Sequence, residues 1–245
     1  MAGPVLSLVI PAWNEANYLP ALLDSVDAAR AAFRQGPEAV EVIVADNAST
    51  DGTGAIAEAR GCRVVAVEKR AIAAARNGGA QEAQGTILCF VDADMRIHPD
   101  TFNEVVETMQ AGRFVAGTSG VRLERWSLGI FVTWCLFMAM VVPLKMDTGV
   151  VFCRREDFER VGGYNEGRLF AEDVQFLWDL RRLGRCRGQG LVRLRRAKAL
   201  ASMRKFDKHG DWHYLTQMVR VGFQMFRNPA AAAEFARKYW YEDDR

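Results

Sequence analysis

Residues Thr86–Thr101 read TILCFVDADMRIHPDT: an apolar run from Ile87 to Val91 stops at Asp92 and Asp94, and Pro99 then signals the start of a helix. A short continuous apolar run of this kind suits a strand buried on both faces, as in a parallel sheet. Its two carboxylates then sit at the strand's carboxyl end, the edge where ligands bind in an open α/β sheet. Two acids at this spacing can approach a hard divalent cation that bridges phosphate oxygens. A lone D-x-D is more often an exposed acidic turn, so the surrounding sequence has to decide.

Working outward, Val5 to Ile10, Val40 to Ala45 and Arg63 to Val67 also read as strands. The segments between them have helical spacing, as at Leu19, Leu22, Leu23 and Val26. Such βαβ alternation calls for a mainly parallel sheet with helices on both faces and right-handed crossovers. The strands end in polar or turn-forming residues: Pro11 to Glu15, Asp46 to Asp51, Glu68 to Arg70 and Asp92 to Asp94. These groups are expected to converge on one edge.

The 245 residues, half of them apolar and a quarter charged, are enough for one sizeable core. A chain of this length buries roughly 70 to 75% of its unfolded surface. Arg181 to Lys208 holds eleven Lys or Arg residues and a single acid, Asp207. That segment suggests a positive surface for phosphates or an anionic membrane face, with a plain solvated face as the alternative. Nucleic acid is not expected, because no recognisable module interleaves aromatics with the basic residues. Cys62, Cys89, Cys135, Cys153 and Cys186 form no C-x-x-C pair. Cys89, Cys135 and Cys153 lie in apolar runs and are expected to be core residues of a reduced cytoplasmic protein. The opening MAGP shows no export pattern.

Ser127 to Leu144 is eighteen residues without a charge, SLGIFVTWCLFMAMVVPL. Three roles stand open: a buried or subunit-contact helix that would pair two copies, a helix resting in the interface of the cytoplasmic membrane face, or a span at the lower length limit. Gly129, Pro143 and the flanking segments argue against the span. From Asp211 to Tyr241, spacing at Met218, Val221, Met225 and Phe226 suggests amphipathic helices.

Four segments in order, LSLVIPAWNEANYLPALLDSV, VIVADNASTDGT, AAARNGGAQEAQGTILCFVDADMRIHPDT and TGVVFCRREDFERVGGYNEGRLFAEDVQFLWDLRRLGR, resemble the family 2 glycosyltransferases, inverting enzymes of the GT-A fold. The resemblance runs from about Leu6 to Arg185. It implies a GT-A domain over residues 1–205, with a nucleotide-binding half to about 116 and an acceptor half from 117, followed by a helical extension over 206–245.

The resemblance also implies roles. Pro11 and Glu15 lie in the loop that faces the nucleoside, and Asp46 accepts a hydrogen bond from base or ribose. At Asn47 many members carry a second aspartate, which leaves the base preference open. Arg76 resembles the family's arginine near the diphosphate or base, where a guanidinium fork suits phosphate. Asp92 meets the ribose, and Asp94 binds Mg²⁺ or Mn²⁺, which offsets the leaving group's charge in place of a general acid. Asp173, in Phe170 to Val174, takes the acceptor's proton, while Glu172 contacts the acceptor or supports its neighbour. Gly162 to Glu166 reads as a flexible turn shaping the acceptor pocket. Arg204 and Lys205 resemble a basic loop over the diphosphate, and His209 or His213 is a further candidate for the metal. Ser49 to Thr53 reads as structural, from its capping and turn residues.

The donor implied is a nucleotide diphosphate sugar, with uridine as the default base. The acceptor is a saccharide, a lipid-linked molecule or a small metabolite, and the compact length suggests addition of single sugars. A nucleotidyltransferase and a non-catalytic nucleotide-binding protein are the competing readings. The first lacks its glycine-rich basic signature, and the presence of both Asp94 and Asp173 argues against the second.

Overall fold

The computed structural model describes residues 3–146, 149–168, 172–213, 215 and 216. In chain order the elements are β1 (Leu6–Ala12), α1 (Leu19–Ala31), β2 (Val40–Asp46), α2 (Thr53–Ala59), β3 (Arg63–Ala66), α3 (Ile72–Gln81), β4 (Ile87–Phe90) and α4 (Thr101–Gln110). There follow β5 (Phe114–Thr118), β6 (Val121–Leu123), α5 (Leu128–Leu144), β7 (Val151–Arg154), α6 (Arg155–Val161), α7 (Glu172–Arg185), β8 (Gly190–Arg193), β9 (Ala199–Ala201) and α8 (Arg204–His209). All four strands expected in the first half form, each ending within two residues of its expected end.

The main sheet runs β3-β2-β1-β4-β7-β5-β8, and β6 pairs with β9 in a small parallel sheet. Only β7 is antiparallel to its neighbours, β4 and β5. Side chains alternate across the sheet as the strand period of two requires. Leu6, Leu8 and Ile10 of β1 pack on one face with Leu19, Leu22, Leu23 and Val26 of α1. Val9 points to the opposite face, in the cluster that holds Leu88, Phe90, Phe158, Tyr164 and Phe176. The result is the expected three-layer α/β architecture.

Glycine lets α3 lie close against this sheet. A Cβ on Gly79 would stand 2.5 Å from Val9 Cγ1, and one on Gly78 would stand 2.7 Å from Val67 Cγ2. The close approach tucks Arg76, one turn earlier, under the carboxyl edge of the strands.

Several details differ from expectation. Pro11 lies inside β1, buried and in register with Ala45, and not in the loop beyond it. A proline is tolerated there because the pairing of β1 with β4 ends at Val9, leaving no ladder partner that needs a donor on that side. Cys135 is exposed on α5, whereas Cys89 and Cys153 are core residues; all five cysteines are free thiols. The basic segment is not one positive surface, because acids from elsewhere in the chain reach it. Arg187 pairs with the buried Asp157 at 2.6 Å, and Arg204 pairs with Glu15 and Asp94.

The apolar stretch forms α5 with Ser127 as its cap, the hydroxyl accepting from Ile130 N at 3.3 Å. Ile130, Met138 and Val141 are buried, but Leu128, Phe131, Leu136, Phe137 and Val142 are exposed. Among the described residues no helix is long and apolar enough to cross a membrane. The spacing noted at Met218, Val221, Met225 and Phe226 lies outside the described residues, as do Phe170 and Ala171.

Candidate active site

The site is built at the carboxyl edge of β1, β2 and β4, where two connecting loops brace each other. Asn14 N donates to Ser49 Oγ at 3.0 Å, and Thr50 N donates to Asn14 Oδ1 at 2.8 Å. Glu15 N donates to Thr53 Oγ1 at 2.9 Å and Ala16 N to Asp51 Oδ2 at 3.0 Å. Ser49 to Thr53 is therefore structural, and what it holds in place is the loop carrying Glu15. Asp46 closes the same turn by accepting from Ser49 N at 3.0 Å. Asn47 is buried and donates to the carbonyls of Val67 and Lys69 at 2.8 and 2.7 Å. Its two amide protons are thus spent on tying β2's loop to β3's, which explains an amide where a carboxylate would leave those carbonyls unmatched. Beyond β3, Arg70 lies over the Trp13 ring at 3.9 Å.

Arg76 is the centre of the arrangement. Its guanidinium is 4% exposed and stands 2.9 Å from Asp92 Oδ1, 3.0 Å from Glu172 Oε1 and 2.8 Å from Asp173 Oδ1. Its carbon lies 5.1 Å from the centre of the Tyr164 ring, which is buried among Phe90, Phe158 and Phe176. This arginine, expected near the diphosphate or base, gathers three carboxylates from two segments far apart in sequence. A buried guanidinium needs such partners, because an unpaired buried charge is very costly.

The GGYNE turn beside it is locked rather than flexible. Asn77 Nδ2 donates to Tyr164 O and Glu166 Oε1 at 2.9 Å each, and Tyr164 N donates to Asn77 Oδ1 at 2.8 Å. Gly162 and Gly163, with φ of 78° and 71°, supply the left-handed backbone the turn requires. Asn77 and Tyr18 are site-building residues that the sequence reading did not assign, and nothing in spacing could pair 77 with 164.

Asp173 opens α7, whose Phe176, Leu177 and Leu180 anchor it to the core. Its side chain keeps 27% of its surface open, yet crowding by protein raises its carboxyl from 3.8 to about 6. Loss of water is the main cause; Arg76 opposes it, and the charges of Glu172 and Asp92 add to it. Such a group is ionised at neutral pH and is basic enough to take a proton.

On the other side of the edge, Arg204 from α8 reaches Glu15 Oε2 at 2.9 Å and Asp94 Oδ2 at 3.1 Å. Its carbon lies 5.1 Å from the centre of the Tyr18 ring. Glu15 is buried and Asp94 is 18% exposed. Lys205, next on α8, is half-buried. His209 and His213 stack on each other with ring centres 4.4 Å apart.

Among the described residues no three His, Cys, Asp or Glu side chains converge into a metal cage. Asp94, with Asp92 beside it, offers hard carboxylate oxygens only. One or two carboxylates plus phosphate oxygens and water is the set that suits Mg²⁺ or Mn²⁺ in a phosphate-binding site, so the residues fit such an ion. A cavity of about 310 Å³, lined by Leu23, Asp27, Arg60, Cys62 and Arg63 among others, lies away from these carboxylates.

A model of the family described as Glycosyl transferase family 2 matches residues 7–129, half of the chain. The chain belongs to this family. It is 28% identical over 185 residues to the succinoglycan biosynthesis protein ExoO of Rhizobium meliloti, covering 72% of this chain and 51% of that protein. It is 33% identical over 121 residues to an undecaprenyl-phosphate 4-deoxy-4-formamido-L-arabinose transferase of Pseudomonas paraeruginosa, covering 46% and 35%. The chain thus spans between about a third and a half of the length of these curated relatives. Among solved structures, the mannosyltransferase PcManGT of Pyrobaculum calidifontis, in complex with GDP-Man and Mn²⁺, superposes with a TM-score of 0.65 at 22% identity, covering 82% of this chain and 57% of that one. Glucosyl-3-phosphoglycerate synthase of Mycobacterium tuberculosis, with Mn²⁺, UDP and glucosyl-3-phosphoglycerate, gives 0.60 at 20% identity, covering 85% and 76%. These likenesses show the GT-A fold.

Proposed function

We propose that this chain is an inverting, metal-dependent glycosyltransferase that moves a sugar from a nucleotide diphosphate sugar to an acceptor hydroxyl. The observation that carries this reading is the Arg76 cluster: it holds the basic, partly open Asp173 beside Asp92, two residues from the metal candidate Asp94. Asp173 takes the proton from the acceptor hydroxyl as that oxygen bonds to the anomeric carbon. The bond from that carbon to the diphosphate breaks on the opposite face, and the leaving group keeps the electron pair. General base help of this kind is worth about 10² to 10⁴ in rate. Asp94 would hold a Mg²⁺ or Mn²⁺ ion, which when bound would supply Lewis-acid stabilisation of the departing charge.

Glu172 shares Arg76 with Asp173 and helps fix its carboxylate. Asp92 and Asp46 serve the ribose or base, Glu15 lines the nucleoside side, and Pro11 contributes by shaping the strand end. Arg204 and Lys205 serve the diphosphate. Uridine is the default base; the solved relatives named above carry GDP-Man in one case and UDP in the other.

On the acceptor side, the exposed apolar face of α5 favours a lipid-linked acceptor reached by peripheral contact with the cytoplasmic membrane face. Pairing of two copies through the same face is the competing use.

The test is direct. Asp173→Asn abolishes transfer while nucleotide-sugar affinity stays near normal, and Asp94→Asn loses metal-dependent nucleotide binding. Retention of most turnover by the first variant would remove Asp173 from the mechanism.

A further inference from the structure

Arg204 is paired with Asp94, the carboxylate read above as the metal ligand. Its Nε lies 3.1 Å from Asp94 Oδ2, and its Nη1 lies 2.9 and 3.2 Å from the two oxygens of Glu15. The guanidinium is 17% exposed and the Glu15 side chain 3%, so both carboxylates are balanced in a site from which much of the water is excluded. The arginine is carried by a short six-residue helix, 110 positions after Asp94. That helix is also tied to Arg125, whose Nη2 lies 2.7 Å from Asp207 on the helix and 2.8 Å from Asp211 just beyond it.

Two cations cannot share one carboxylate oxygen at close range without strong repulsion, least of all where water screens them poorly. A divalent ion binding Asp94 therefore competes with Arg204 for Oδ2, and even at Oδ1 it meets the guanidinium's charge at short range. The displaced guanidinium then needs an anion of fork geometry, and a diphosphate supplies it. Glu15 keeps the arginine in the site during the exchange. The three events are linked: metal entry, release of Arg204 and arrival of the diphosphate each favour the others.

We propose that Arg204 is a resident counter-ion of Asp94 which transfers to the donor diphosphate when the metal binds. Metal alone then binds weakly, and metal and nucleotide strengthen each other's binding. This rests on the reading of Asp94 as the metal ligand.

The experiment is a titration with Mn²⁺ followed by the electron paramagnetic resonance signal of the free ion, without nucleotide and with saturating UDP, and with GDP in parallel. It compares the wild type with Arg204→Gln, Arg204→Lys and Asp94→Asn, each checked by its melting temperature. Without nucleotide, R204Q binds Mn²⁺ on the order of tenfold more tightly than the wild type, within the usual range of such couplings. Its enhancement by nucleotide shrinks by a similar factor. R204K keeps the charge and stays near the wild type.

Equal or weaker Mn²⁺ binding by R204Q, with Asp94→Asn losing the ion, would overturn the counter-ion role and leave the metal site standing. A merely structural tie gives that result, weakening R204Q and R204K together. Undiminished Mn²⁺ binding by Asp94→Asn would overturn the metal assignment itself, and the inference with it.

Discussion

At Asp173 one environment sets both chemistry and stability. A carboxyl raised from 3.8 to about 6 holds its proton more tightly folded than unfolded. Folding stability therefore falls as pH rises from about 4 through 6, and the ionised form carries that cost at neutral pH. The difference of roughly two pKa units corresponds to about 3 kcal/mol as an upper figure. Asp173→Asn is thus expected to melt higher than the wild type at pH 7.5 and by a smaller margin at pH 4.5, while its turnover is lost. The acid limb of kcat/KM in the wild type should fall near pH 6. A variant that melts lower at both pH values would mean that Arg76 gains more from this carboxylate than burial takes away. Asp92 and Asp94 could be picked out from sequence because they follow an apolar run, where chain direction fixes their place, whereas Asp173 was picked out only by the family resemblance of its stretch. The partners of Arg76 were not readable. The resemblance put it near the diphosphate or base, and which carboxylates it meets depends on how α7 packs, which spacing does not tell.

At the scale of elements, the decisive contact is α3 on the sheet. Gly79→Ala puts a methyl 2.5 Å from Val9 Cγ1 in a site already closed by Ala45 Cβ at 3.4 Å. Overpacking of this kind costs about 1 to 3 kcal/mol. It should also reduce activity, since α3 carries Arg76 and any lift moves the guanidinium off three carboxylates at once. Adding Val9→Ala is expected to restore much of both losses; a double variant no better than the single one would place the fault elsewhere.

The element that sequence could read only in part is α5. Its lack of charge was plain, but burial was not, because a helix apolar on every side gives no face by which to orient it. With Phe131 51% and Phe137 37% exposed, replacing both by Ser should leave the melting temperature little changed. If this face meets a lipid surface, the double variant loses sedimentation with anionic vesicles and activity toward lipid acceptors, and keeps activity toward soluble ones. Equal loss toward both acceptors would count against that use, and a change from dimer to monomer in light scattering would favour subunit pairing.

Across the whole molecule, the βαβ series explains why residues scattered from Glu15 to Asp94 meet: parallel strands deliver their carboxyl ends to one edge. What alternation could not foretell is β7, which enters antiparallel between β4 and β5. It starts at that edge beside Phe90 and ends at the opposite one beside Ile87, and α6 then carries the chain back, so that the GGYNE turn and the start of α7 reach the site from the second half of the chain. The site thus joins segments that share no local contacts, and a ligand spanning them should brace the fold as a unit. A ligand bound only by the folded state adds about 2.7 kcal/mol of stability at a hundred times its dissociation constant. For a chain of this size that is on the order of 5 to 11 °C in melting temperature. UDP or GDP with Mn²⁺ should produce a shift of this order, either nucleotide without the metal a much smaller one, and Asp94→Asn should abolish the difference. A shift that is the same with and without Mn²⁺ would mean that the nucleotide binds through Asp46 and the basic residues alone. Asp94 would then have no metal to hold in this site.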